Sequence, residues 1–273
     1  MKKSPVFLRT CQVLGLAVFC LTTATSLQAS EPLRALLITG GCCHDYGEQL
    51  KILTNGISAR ANVTWTVLWE GGSSKGGTIR DHQMSIYAKK NWAEGYDVVV
   101  HNECFGDITN SEFVDHVAKA HFEGVPAVVI HCTMHSYRKA STDEWRKTLG
   151  VSSYNHEGAR KFQVTDIKPD HPVMKGFPEK WDDPSPDELY RILKLWPNCI
   201  PLATASGKTN AVYPVVWVNT YGKGRIFGTT LGHSDETMSS PVYLDLITRG
   251  LLWACNDLDE DGKPKEGYGP ASK

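Results

Sequence analysis

The sequence lacks an uninterrupted run of roughly 20 apolar residues, the length a membrane-spanning helix needs. It also lacks a GxGxxG, an HExxH and a CxxC. Each absence excludes something. Without the glycine fingerprint, a dinucleotide has no phosphate cradle at the first strand-to-helix turn. Without HExxH, no single helix carries a ready-made zinc pair, so any metal ligands have to converge from separate loops. The 8 cysteines show no regular spacing and indicate neither a zinc knuckle nor a disulfide framework, although one unassigned disulfide is open. Lys and Arg number 29 against 30 Asp and Glu, and no basic stripe gathers them, so nucleic acid is excluded as an expected partner. No internal repeat is evident.

The N-terminus does carry a pattern. Lys2, Lys3 and Arg9 precede an apolar run from Val13 to Leu21, and small and polar residues lead to Ser26-Leu27-Gln28-Ala29. Residues 1–29 therefore read as a secretory signal peptide cleaved near Ala29, which predicts a periplasmic or secreted protein with no membrane attachment after cleavage. Cleavage also removes Cys11 and Cys20 and leaves Cys42, Cys43, Cys104, Cys132, Cys199 and Cys255 in an oxidising compartment.

Residues 30–257 alternate short β-branched runs with amphipathic stretches, which argues for βαβ units. The predicted fold class is α/β: an open, mainly parallel, flavodoxin-like sheet with helices on both faces and loop insertions. Ala35–Thr39, Val63–Leu68, Asp97–His101, Ala127–Ile130 and Arg225–Thr230 read as strands. Leu50, Leu53 and Ile57 recur at helical spacing, as do Phe113, Val117 and Ala120 after a Thr109–Glu112 capping box. Trp145 and Leu149 mark a further helix, and Tyr243, Leu246, Ile247, Gly250, Leu251 and Ala254 form one face of the last. Residues 71–95 read as a long loop, residues 151–196, rich in proline, as an insertion, and Ile200–Thr204 with Tyr213–Thr220 as a hairpin. Residues 258–273 read as a disordered polar tail.

In an open parallel sheet, ligands bind in the crevice beyond the carboxyl ends of the strands. Four predicted strands end in loops bearing His44-Asp45, Glu103, His131 to Arg138, and His233. The expected catalytic set is His44, Glu103, His135 and His233. Tyr137, Arg138 and Trp92 are expected to bind substrate, with Arg138 fixing the Glu103 carboxylate. Gly40-Gly41 would bring backbone close to a ligand. No cofactor is assigned, but three imidazoles suit a divalent ion such as zinc, held by His44, His135 and His233 with help from Glu103. His156-Glu157 and Asp187-Glu188 read as solvated loop charges.

Two other readings stand beside this one. Cys132 followed by His135, with His233-Ser234-Asp235 later, is similar to the Cys-x-x-His and His-x-Glu of class I glutamine amidotransferases, so Cys132, His233 and Asp235 could form a nucleophilic triad. Ile130 and Met134 are bulky for such an elbow. Alternatively, Trp69, Trp92 and Tyr137 could be stacking platforms of a non-catalytic carbohydrate-binding protein. Clustered titratable groups favour an enzyme over simple binding.

Taken together, Thr39-Gly40-Gly41 with His44-Asp45, Asn102-Glu103, His131-Cys132-Thr133-Met134-His135-Ser136-Tyr137-Arg138, His171-Pro172-Val173, Asp187-Glu188-Leu189-Tyr190 and Thr229-Thr230-Leu231-Gly232-His233 resemble the ThuA-like (trehalose utilisation) family over residues 33–257. The resemblance implies a fold related to the class I glutamine amidotransferase domain and a role in disaccharide or glycoside catabolism. It also implies a small-molecule sugar substrate and a pathway link to a sugar oxidoreductase that makes 3-keto sugars. The reaction expected on such a sugar is proton abstraction at C2, leading to isomerisation or glycosidic cleavage.

Overall fold

The computed structural model describes Met1 and residues 31–72 and 79–271, so the expected leader lies outside the described residues. The chain opens with β1 (Leu33–Gly41), α1 (Tyr46–Ser58) and β2 (Val63–Trp69). Then follow β3 (Val98–Cys104), α2 (Ser111–Glu123), β4 (Ala127–Ile130) and α3 (Glu144–Leu149). Four short strands come next: β5 (Val151–His156), β6 (Gln163–Thr165), β7 (Trp181–Asp182) and β8 (Tyr190–Leu195). The chain continues through β9 (Ile200–Ser206), β10 (Val212–Tyr221), β11 (Gly224–Thr229), α4 (Asp235–Ser239) and α5 (Pro241–Ala254).

One 9-stranded sheet runs in the order β2-β1-β3-β4-β11-β10-β9-β6-β7. Its first five strands are mutually parallel and the rest are added antiparallel. The α/β architecture follows from the strand sequences. In β1, Ala35 and Leu37 point into the layer holding Leu53 and Ile57 of α1 and Leu246, Ile247 and Leu251 of α5. Leu36 and Ile38 point into the opposite layer, with Val114 and Val117 of α2 and Trp145 and Leu149 of α3. A strand buried on both faces needs a continuous apolar run, and β1 and β4 have one.

Three expectations change. The insertion is structured: β6 and β7 extend the main sheet, and β5 pairs with β8 in a separate two-stranded sheet. The described residues after Asp257, 258–271, fold back instead of forming a disordered tail. Lys265 N–H donates to Asp257 O at 2.8 Å, and Asn62 N–H donates to Tyr268 O at 3.1 Å, which gives otherwise polar sequence backbone partners. Helix α2 is capped by Asn110, whose side chain accepts from Phe113 N–H at 3.1 Å, one residue later than the expected box. Among the described residues no helix is long and apolar enough to cross a membrane.

Candidate functional site

At the carboxyl edge of the sheet, Gly40 and Gly41 both have positive φ (131° and 107°), and a Cβ at either would collide with the backbone of Glu70 or Cys104. The pair therefore serves close approach between neighbouring strand ends, not approach to a ligand as expected. The chain then turns through Cys43 and presents His44, while Asp45 caps α1 by accepting from Glu48 N–H at 3.2 Å. Helix capping thus falls to Asp45 and leaves the His44 imidazole for the interior of the crevice.

His44 meets His131 and His233. The ring centroids lie 4.8 Å (His44 to His131), 5.1 Å (His44 to His233) and 5.5 Å (His131 to His233) apart. Glu188 completes the group: one ligand atom from each of His44, His131, Glu188 and His233 lies within 4.8 Å of all the others. Glu188 Oε2 stands 3.6 Å from His131 Nε2 and 3.5 Å from both His233 Nδ1 and His156 Nε2. His131 directly follows β4 and is held at a φ of 43°, a costly conformation for a non-glycine residue that the surrounding packing must impose.

Burial and charge set the protonation states. Burial, reinforced by His131 and His233, holds the His44 pKa well below its usual value, so His44 is neutral. Burial works to raise the pKa of Glu188, but the facing imidazoles of His131, His233 and His156 outweigh it and leave an ionised carboxylate. Its contact with Glu188 raises the His233 pKa against desolvation. Behind them, Asp187 Oδ2 accepts from the backbone N–H groups of Gly232 (2.9 Å) and His233 (3.3 Å), which ties the loop after β11 to the insertion. Asp183, beside it, is pushed up to about 7, first by burial and then by the Asp187 charge.

Of the expected catalytic residues, His44 and His233 lie in this group and two others do not. His135 sits one turn beyond His131, stacked on Tyr190 at 4.2 Å between centroids, with Nε2 3.1 Å from Ser153 Oγ. Burial, then Arg138, lowers its pKa to about 3. It forms a wall of the site: the expected trio of His44, His135 and His233 does not converge, and the residues whose ligand atoms do come together are His44, His131, His233 and Glu188. Glu103 shares its sheet face with Val99, because side chains alternate along β3, and faces the α2–α3 layer. There its Oε1 lies 2.9 Å from His101 Nδ1, and His101 Nε2 lies 3.0 Å from His121 Nε2. It belongs to a fully buried polar chain away from the imidazole group.

The expected substrate-binding residues move as well. Trp92 is buried against Tyr87, His101 and His121. Tyr137 is 1% exposed and packs on Phe113 and Trp145. Arg138 donates to Tyr154 O at 3.0 Å and does not pair with Glu103. A stacking platform built on Trp92 and Tyr137 is therefore excluded. Cys132 is paired with Cys104, and Cys42 with Cys43, so two disulfides stand where at most one was expected. A disulfide sulfur is no nucleophile, which removes the Cys132 triad.

Sequence reasoning missed His131, His156 and Glu188 as site residues. His131 was recoverable, since it is the first residue past β4 and therefore the one nearest the crevice. Glu188 stood in one of the motifs of the family resemblance, Asp187-Glu188-Leu189-Tyr190, but was read as a solvated loop charge, because it arrives from the insertion, just ahead of β8, through pairing that its own sequence does not announce.

Comparison with known proteins matches residues 59–254 to the family described as trehalose utilisation, ThuA. Among solved structures, a ThuA-like protein of Parabacteroides merdae superposes with a TM-score of 0.60 at 20% identity, covering 86% of this chain and 97% of its own. A ThuA-like protein of Bacteroides uniformis gives 0.63 at 14% identity, covering 88% and 98%. No curated protein matches the sequence. At such identities the likeness establishes the shared fold.

Proposed function

The chain belongs to the ThuA, trehalose utilisation, family, which implies a role in carbohydrate utilisation, and we propose that its substrate is a 3-keto sugar from which it removes the C2 proton. A C3 ketone acidifies C2–H because the carbanion delocalises onto oxygen as an enolate. A cation held by His44, His131, His233 and Glu188 would meet the charge developing on the enolate oxygen in a buried setting. His156, partly exposed and 3.5 Å from Glu188, is the group placed to take the proton. Reprotonation gives an isomer; loss of the C1 oxygen cleaves the glycosidic bond without an oxocarbenium ion. The observation that carries this reading is the convergence of three imidazoles and a carboxylate at the edge of the sheet where such folds bind ligands.

The leader-like N-terminus and the two disulfides support action in the periplasm or outside the cell. Incubating a 3-keto-disaccharide with the protein in D₂O should place deuterium at C2 or release the aglycone sugar, with the unoxidised disaccharide inert. Rapid hydrolysis of the unoxidised sugar without C2 exchange would point instead to a glycosidase acting through paired carboxylates. Expression with the leader should give a chain beginning near Ser30, and an intact Met1 on cytoplasmic protein would refute the proposed location.

A further inference from the structure

Among the buried polar atoms without a hydrogen-bond partner are His44 Nε2, His131 Nε2 and His233 Nδ1, the three imidazole nitrogens that face one another and Glu188. Unpaired buried nitrogens cost on the order of 1–3 kcal/mol each, so three in one place call for a ligand. Their hydrogen positions follow from the opposite ring atoms. His131 Nδ1 lies 2.6 Å from the Thr230 carbonyl, which can only accept, so the proton is on Nδ1 and the Nε2 lone pair points into the group. His44 bonds the His233 backbone, and since its Nε2 is unpartnered, that bond leaves from Nδ1. A ring N–H held by a backbone carbonyl while the other nitrogen looks inward is how proteins aim metal-binding histidines.

Distances discriminate between an ion pair and a coordination shell. Charge-assisted N–H···O bonds run at about 2.7–2.9 Å. His131 Nε2 and His233 Nδ1 lie 3.6 and 3.5 Å from Glu188 Oε2, too long for such bonds. Around an ion with bonds of about 2.0–2.1 Å, the edge of a tetrahedron is about 3.4 Å; these two separations approach it, and all four ligand atoms lie within 4.8 Å of one another, near enough to close around one ion. We infer that His44 Nε2, His131 Nε2, His233 Nδ1 and Glu188 Oε2 form a site for one divalent first-row transition ion. Three imidazoles and one carboxylate suit zinc and its neighbours better than calcium or magnesium, which prefer all-oxygen shells. Asp187, bonded to the N–H groups of Gly232 and His233, holds the loop that carries one ligand. A second grouping, Cys42, Cys43 and Cys104, offers no thiolate while its cysteines are in disulfides.

This inference rests on the geometry of the group and stands whether or not the substrate is a keto sugar. Full-length mature protein stripped with chelator should bind one equivalent of Zn²⁺ by calorimetry, and Co²⁺ should give visible absorption bands of a low-coordinate site. His44→Ala, His131→Ala and Glu188→Gln should each weaken Zn²⁺ by more than about 100-fold, since each removes a direct ligand where even supporting partners are worth 10–100-fold. His116→Ala, on the surface, should not. Should an alanine variant fail to fold, anomalous diffraction at the zinc edge on the unaltered protein locates the ion directly. No stoichiometric ion, or an ion located at the cysteines or elsewhere, overturns the site. Bound metal without C2 exchange would leave the site standing and end the sugar reading; exchange by protein that binds no metal would do the reverse.

Discussion

Two carboxylates, Glu103 fully buried and Glu188 partly so, carry opposite expectations. Glu188 belongs to the imidazole group, so Glu188→Gln should lower C2 exchange per folded molecule by about 100-fold or more. Glu103 is fully buried against His101, and breaking a buried pair of this kind costs about 3–5 kcal/mol. Glu103→Gln should therefore show a lower denaturation midpoint, with exchange per folded molecule unchanged; the reverse ranking would reassign catalysis to Glu103. The chain beyond it is directional: His121 Nδ1 donates to Val125 O, so His121 Nε2 accepts from His101. Burial, then His101, lowers the His121 pKa from 6.5 to about 3. The folded protein thus excludes a proton that the unfolded chain binds below pH 6.5, so this stabilisation is complete above 6.5 and fades as pH falls toward 3. Its loss amounts to on the order of 4 kcal/mol. In His121→Gln, which keeps a donor and an acceptor, the fall in stability between pH 7 and pH 4 should be visibly shallower. Identical slopes would show that His121 does not carry the effect.

At the scale of elements, the site is made by bringing an insertion to a strand end. Asp187 takes two backbone N–H groups from the loop after β11 and lies next to Glu188 in sequence. Asp187→Ala should leave those donors unpaired, cost about 1–3 kcal/mol and weaken Zn²⁺ by about 10–100-fold without removing a ligand. Unchanged zinc affinity would mean that the loop keeps its place unaided. Elements that bury one face against a layer were readable from periodicity. The face expected for α5 is the buried one, and β4 has the expected limits Ala127–Ile130. Strands β5 to β8 were not, because none carries a continuous apolar run and each owes its state to partners distant in sequence.

For the whole molecule, the Cys104–Cys132 disulfide ties the end of β3 to the turn after β4 across 28 residues. Closing a loop of that size in the unfolded chain is worth about 3.5 kcal/mol, so Cys132→Ser should melt earlier yet retain most of its C2 exchange. Loss of exchange in a folded Cys132→Ser protein would revive a thiol mechanism. The cross-links and the sheet together set the positions of His44, His131 and His233, each of which follows a different strand of the parallel half.

The sequence by itself determined the α/β alternation, the parallel half of the sheet and the edge at which chemistry would gather. These follow from local hydrophobic period and from the rule that strand ends share one crevice. It also supplied His44 and His233. Only the tertiary structure decided that His131 and not His135 joins the group, because the short turn at His131–His135 separates two imidazoles that lie only four residues apart in sequence. It likewise decided that Glu103 points to the far layer, since one residue of register in β3 selects the face. Glu188 became visible only when the insertion folded onto the main sheet, because a carboxylate far along the chain acquires its partners from topology and not from neighbours.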